Sequence, residues 1–344
     1  MRLTGLLLAG AFVASACGPA AAPPAAPAAT VAPAATTASP APARASLVVS
    51  WNSVSADQVP VWMATEAGLF AKQALDVEVR YIASTTSMAA LLSGETQVAH
   101  IGGAEALSAV AGGADLVVVA VPGPVYPYLF YVPAAVKTAA DLKGQKVGVT
   151  GVGSSTDIAT RVGLHRVGLV PDKDVSIVSV GSISSLTTAL LNGAVAGGMG
   201  HQPDSAVLEA KGFHALFDLA SERLPFANNA IVVQRAYLAA HRDVVQRYVD
   251  AIVSAIAREK KDKAYTVTVM KKYFESKDDA AMGATWDYYA KLVRPELPYP
   301  RADQFTDLVI ELAKRNDKVK QVDLAKLLDA AFVQSAGDRG LSRP

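Results

Sequence analysis

A single cysteine, Cys17, leaves this 344-residue chain unable to close an intramolecular disulfide, so its fold must rest on packing and hydrogen bonding. An excess of one charge is missing as well. Lysine and arginine total 32 against 31 aspartates and glutamates, which excludes the basic footprint that nucleic-acid binding requires. Beyond residue 17 no apolar run approaches the ~20 residues that cross a bilayer as a helix. Catalytic signatures are absent too: there is no G-x-S-x-G elbow, no H-E-x-x-H and no cysteine pair. The five histidines, at 100, 165, 201, 214 and 241, are scattered, and neither a metal nor any other cofactor is expected. Residues 151–156, Gly-Val-Gly-Ser-Ser-Thr, follow a strand and open a helix as a dinucleotide fingerprint does, but Thr156 stands where the third glycine belongs. An enzyme is not the expectation.

What is present begins with Arg2 and an apolar stretch from Leu6 to Val13, the length of a secretory h-region, so residues 1–16 read as a signal peptide. Ala14-Ser15-Ala16-Cys17 resembles the lipobox of bacterial lipoproteins, with Ala14 where leucine is usual, and this implies lipidation of Cys17 and attachment to a membrane. Residues 17–45 are mostly alanine and proline. This composition builds no core and extends by about 3.1 Å per residue where it is polyproline-like, which makes it a tether. The expected location is extracytoplasmic, on a bacterial membrane.

From residue 46 strand and helix signals alternate, the pattern of an α/β fold with mostly parallel sheets. Strands are predicted at 47–51, 77–82, 98–101, 116–121 and 129–132. After Asp141-Leu142-Lys143-Gly144 the alternation restarts, with strands at 146–149, 175–180, 196–199 and 215–217 and helices at 156–167 and 183–191. The strand at 230–233 returns to the first sheet. Val244, Val245, Tyr248, Ile252, Val253 and Ile256 then mark one apolar face of a helix that packs on that sheet.

The run from Gln58 to Phe70 (Gln-Val-Pro-Val-Trp-Met-Ala-Thr-Glu-Ala-Gly-Leu-Phe) resembles the solute-binding proteins of ABC importers, in the nitrate/sulfonate/taurine and thiamine-precursor group. Residues 91–99, 141–149, 168–175 and 189–193 agree with that group in order and spacing. The resemblance implies a two-lobed type II periplasmic-binding-protein-like fold. One lobe comprises residues 46–135 and 226–344, the inserted lobe residues 136–225, and hinge crossings fall near 133–137 and 222–228. It implies a monomer that closes on a small-molecule ligand, a small organic anion of sulfonate, nitrate, taurine or aromatic-acid type, and delivers it to an ABC permease. A pyrimidine or flavin-type vitamin precursor is the alternative cargo. A thiamine-precursor synthase is disfavoured because related fungal enzymes use a cysteine-rich motif, and a non-transport surface lipoprotein is the remaining rival.

Ligands of open parallel sheets sit beyond the carboxyl ends of strands, so the loops there supply the candidate residues. Ser84, Thr85 and Thr86, the pair Gly102 and Gly103, and Ser154, Ser155, Thr156 and Asp157 place small or hydroxyl side chains at helix starts, where N–H groups suit an anion. The same hydroxyls also suit plain helix capping, and the Asp157 carboxylate runs against a simple anion site. Trp51, Asn52, Ser55 and Gln58 follow the first strand, Tyr126 and Tyr128 lie in a proline-rich turn, and Trp51 or the tyrosines would stack on a planar solute. His201 and Asp204 follow the strand at 196–199, and Asn228 and Asn229 lie at the second crossing.

Overall fold

A computed structural model describes residues 11, 13–15, 18 and 43–343, with the side chains of Ser84 and Thr85 excepted. Cys17 and nearly all of the expected tether lie outside the described residues. Residues from Pro42 onward form one compact unit. Among the described residues no helix is long and apolar enough to cross a membrane.

Among the described residues ten strands build two sheets. They are β1 (Ala45–Trp51), β2 (Leu75–Tyr81), β3 (Val98–Ile101), β4 (Leu116–Val125), β5 (Leu129–Val132), β6 (Lys146–Val149), β7 (Ser176–Ser179), β8 (Gly197–Gly200), β9 (His214–Asp218) and β10 (Pro225–Gln234). The first sheet runs β2-β1-β3-β10-β4 and the second β7-β6-β8-β5-β9. In the first, β1 is parallel to β2 and β3 while β10 is antiparallel to β3 and β4; in the second, β6 is parallel to β7 and β8 while β5 is antiparallel to β8 and β9. The same mixed pattern in both sheets gives two lobes.

One strand changes place relative to the sequence reading. Leu129–Val132, expected in the first lobe, is β5 of the second sheet, so the chain leaves the first sheet between β4 and β5 and not at 133–137. The cause lies in packing that local pattern does not carry. Phe130 stacks on Phe217 of β9 at 4.8 Å, and β8 admits the same ring because a Cβ at Gly197 would stand 2.5 Å from it. The return crossing is met by the first: Tyr126, just past β4, stacks on Phe226 of β10 at 3.9 Å.

Period-two alternation sorts the first sheet's residues onto two faces. Leu47, Val49, Val117, Val119, Ile231 and Val233 join one core with Val245, Tyr248, Val249 and Ile252 of the helix Arg242–Lys261. Ala99, Ile101, Val118 and Val232 face the other way, into a core that continues through the helix Gly103–Ala111 to Val147, Ile158 and Met199 of the second lobe. The helical tail therefore packs on the first sheet, as its apolar stripe predicts. The helix Thr306–Ala313 lies against both Gly103–Ala111 and the second lobe's Ser155–Arg166.

Candidate functional site

The carboxyl ends of the parallel strands in both sheets meet at a cavity of about 180 Å3. From the first lobe come Asn52 to Ser55, Asp57 and Gln58 after β1, Tyr81 at the end of β2 and Ala83 after it, Gly102 and Glu105 after β3, and Asn228 and Asn229 of β10. The second lobe supplies Thr150, Ser155 and Thr156 after β6, Gly181 to Ser184 after β7, and His201 after β8, while Tyr128 stands at the crossing. Ten of the residues chosen from sequence therefore line it: Asn52, Ser55, Gln58, Gly102, Tyr128, Ser155, Thr156, His201, Asn228 and Asn229.

The first wall is fixed from beneath by a buried arginine. Arg294 donates to the Ala56 carbonyl at 2.8 Å and to the Pro122 carbonyl at 2.9 Å, and it pairs with Glu259 at 2.9 Å. This clamps the turn Ala56–Gln58 against the end of β4. Asp57 Oδ2 accepts from Ser55 Oγ at 3.2 Å and from the Tyr289 hydroxyl at 3.3 Å. Gln58 Nε2 donates to Asn52 Oδ1 at 3.2 Å, and the Tyr128 hydroxyl donates to Asn228 Oδ1 at 2.6 Å. Across the cavity Thr156 Oγ1 accepts from the Thr150 backbone N–H at 2.9 Å, which holds the hydroxyl loop against β6.

At Gly102 the two lobes approach each other through a bare backbone. A Cβ there would collide with Glu105 Oε2 and with Ser155 Oγ of the opposite lobe. Lacking one, Gly102 lets the Glu105 carboxylate fold back over the N-terminus of its own helix. Burial pushes the Glu105 carboxyl above its ordinary range, and its own backbone N–H opposes the shift only in part. Burial likewise raises the Tyr128 phenol far above normal, assisted by the negative fields of Asp57 and Glu105. No lysine or arginine occurs among the described residues lining the cavity.

Seven of the sequence candidates do not line it. Trp51 continues the buried face of Leu47 and Val49, packing edge-on to Trp62 at 5.3 Å and lying 4.9 Å from Tyr81, so it is a core residue. Tyr126 is fully buried on Phe226 and donates to Asp307 at 2.8 Å. Gly103 is a packing position, since a Cβ there would stand 2.5 Å from the Ala227 methyl. Ser154 caps the helix Ser155–Arg166 and shares its hydroxyl with Thr150 and Thr156, both at 3.0 Å. Asp157 is enclosed and spent on Arg161, Arg315 and the Gly153 N–H. Asp204 opens the helix Asp204–Ala210, where the helix dipole suits a carboxylate, and Thr86 is exposed, bonding the Ala83 carbonyl at 3.1 Å. The third of the Ser84 to Thr86 candidates thus turns back on its own helix start; the other two have side chains outside the described set.

Sequence reasoning missed Asp57 and Glu105, as well as the whole Gly181–Ser184 loop. That loop was within reach, because Ser182 caps a helix directly after a strand just as Ser154 does.

A mixed-sheet, two-lobed body with one cavity walled by strand-end loops of both lobes is the architecture of the periplasmic binding proteins. The profile of the NMT1/THI5-like family matches residues 55–262, and the chain belongs to that family. No curated protein matches the sequence. Among solved structures, a protein of Bordetella bronchiseptica RB50 superposes with a TM-score of 0.74 at 22% identity, covering 86% of this chain and 98% of its own. The alkanesulfonate-binding protein SsuA from Xanthomonas axonopodis pv. citri, bound to MOPS, gives 0.70 at 21% identity over 84% of this chain and 99% of its own. The periplasmic nitrate-binding protein NrtA from Synechocystis PCC 6803 gives 0.73 at 15% identity over 88% and 92%.

Proposed function

We propose that this protein is the extracytoplasmic solute-binding component of an ABC importer, closing its two lobes on a small polar solute and delivering it to the permease without transforming it. The observation that carries this reading is the cavity itself, walled by paired loops from both lobes with hydrogen-bonding side chains on every side. Binding-protein relatives of the same fold, which are named for alkanesulfonate and nitrate, support capture and not catalysis as the role. Lipidation at Cys17 and an Ala/Pro tether would hold the clamp, as a monomer, near its permease. The organic anion expected from the family resemblance is the part of the reading that the wall favours least, since its described residues present two carboxylates and no lysine or arginine.

The test is thermal melting of the purified protein against a panel of small solutes, with native mass spectrometry for any that copurify. A solute present at a hundredfold its Kd stabilises by about 2.7 kcal/mol, a plain shift in Tm, and should be recovered unchanged. Turnover of the solute, or no shift together with no copurifying solute, would overturn capture. Cys17→Ser should release the protein from membranes while leaving the shift intact.

A further inference from the structure

The two carboxylates among the described residues lining the cavity, Asp57 and Glu105, are left without an ion pair. Asp57 is 5% exposed and Gln58 1%, yet Asp57 Oδ1 and Gln58 Oε1 have no hydrogen-bond partner within the protein. Glu105 Oε2 is shut off from solvent in the same condition. Among the described residues neither Asp57 nor Glu105 forms an ion pair, and the bonds reaching Asp57 Oδ2, from Ser55 and Tyr289, are neutral and long at 3.2 and 3.3 Å. A buried carboxylate without a cation or a full set of donors is expensive, and a ligand that supplies both relieves the cost.

Each of the three helix starts beside the cavity already carries an acceptor of its own. The N-terminus of the helix Gly103–Ala111 is covered by its own Glu105, and that of Ser155–Arg166 by Asp157, which accepts from the Gly153 N–H at 2.7 Å. The start of Ile183–Leu191 is capped by Ser182, accepting from the Ser185 N–H at 3.1 Å. Gln58 Nε2 is engaged by Asn52 Oδ1, which leaves Oε1 as the unpartnered end of that amide. The first wall thus holds three unpartnered acceptors, Asp57 Oδ1, Gln58 Oε1 and Glu105 Oε2, beside the amides of Asn52, Asn228 and Asn229, while the second, with Thr150, Ser155 and Ser182, offers hydroxyls able to donate or accept.

We infer that the cavity takes a compact solute whose inner end is a cationic N–H donor group, an ammonium or an amidinium, seated against Asp57 and Glu105 and donating to Gln58 Oε1. This rests on the solute-capture reading above and assigns its ligand class. Tyr128, between the two lobes, and Tyr81 line the same space. At about 180 Å3 the cavity is smaller than the ~300–1,000 Å3 of sites for drug-sized ligands, which limits the solute to a few heavy atoms beyond its cationic group.

The full-length protein in mild detergent should be melted and titrated calorimetrically with agmatine, putrescine and acetamidine, and in parallel with ethanesulfonate and nitrate. At least one of the three cations should raise Tm, and Glu105→Gln and Asp57→Asn should each weaken its binding tenfold or more while the ligand-free Tm stays within a few degrees or rises. Should Asp57→Asn fail to fold, Glu105→Gln alone decides, with Glu105→Asp expected to recover part of the affinity. Binding of ethanesulfonate or nitrate with none of the cations would overturn the cation assignment and leave capture standing. Cation binding unchanged in both variants would overturn it too. Silence from all five probes, with no copurifying solute in native mass spectrometry, would remove capture itself.

Discussion

Arg315 Nη1 stands 2.9 Å from Asp157 Oδ2, joining the segment after the helix Thr306–Ala313 to the first turn of the second lobe's helix Ser155–Arg166. Asp157 is wholly buried, takes Arg161 Nε at 2.7 Å on its other oxygen, and also accepts from the Gly153 backbone. The carboxylate that sequence assigned to a ligand thus locks the hydroxyl loop in place. Asp157→Asn removes the charged partner of Arg161 Nε while Asp172 keeps its own pairing with Arg161 Nη1 at 2.6 Å, so it should cost about 1.5–3 kcal/mol, whereas Arg315→Ala, at a side chain 39% exposed, should cost under ~1 kcal/mol. Urea denaturation of both variants checks this, and equal losses would mean that the Arg315 contact carries the lock.

Trp51→Ala separates a core role from a ligand role. The ring lies among Trp62, Tyr81 and Tyr273 on the buried face of β1, so its removal should destabilise by about 3–5 kcal/mol, as truncation of a large buried aromatic does. Solute affinity, measured well below the variant's lowered Tm, should change little and equally for planar and non-planar solutes. A selective loss of planar solutes at full stability would return Trp51 to the cavity.

What was legible before the structure divides along physical lines. All ten strands were readable because β-branched and apolar runs ending in small-residue turns are a local signal; the loops after them pointed to eight cavity residues and the second crossing to Asn228 and Asn229. The sheet to which β5 belongs was not readable, since Leu129–Val132 is apolar on both faces and fits either lobe. Trp51 and Asn52 are adjacent yet diverge, because one step along a strand turns a side chain to the other face. Asp57 and Glu105 were hidden by their positions: carboxylates in the first turn of a helix look like dipole partners, and only the enclosure around them shows that they lack cations.

Gly102→Ala tests the close approach of the lobes. A methyl group there meets Glu105 Oε2 and Ser155 Oγ, which are ends of side chains and can withdraw, so the ligand-free fold should lose little. Withdrawal displaces Glu105 from the wall and pushes Ser155 of the opposite lobe away, so solute affinity should fall at least tenfold while Tm without solute moves only a few degrees. Calorimetric titration beside a melting curve reads both. A variant that binds as the parent does would show that Glu105 and Ser155 need not be so close in the closed state.

His100 gives the fold a pH dependence of defined sign. On β3 its Nε2 lies 2.6 Å from the Tyr248 hydroxyl and its Nδ1 has no partner in the protein; burial, with the Arg294 charge in support, holds its pKa down at about 3 against an ordinary 6.5. The unfolded chain takes up a proton below pH 6.5 that the folded chain refuses, so this contribution to stability is complete above pH 6.5 and is lost as pH falls from there toward about 3. The slope from one such group approaches ~1.4 kcal/mol per pH unit in the middle of that window. His100→Gln keeps a polar partner for Tyr248 but cannot titrate, so denaturation curves between pH 6.5 and 4 should fall less steeply for the variant than for the parent, even if the variant starts from a lower stability. Parallel slopes would mean that the folded protein accommodates a charged imidazole beside Tyr248, and the acid loss would then belong to its carboxylates.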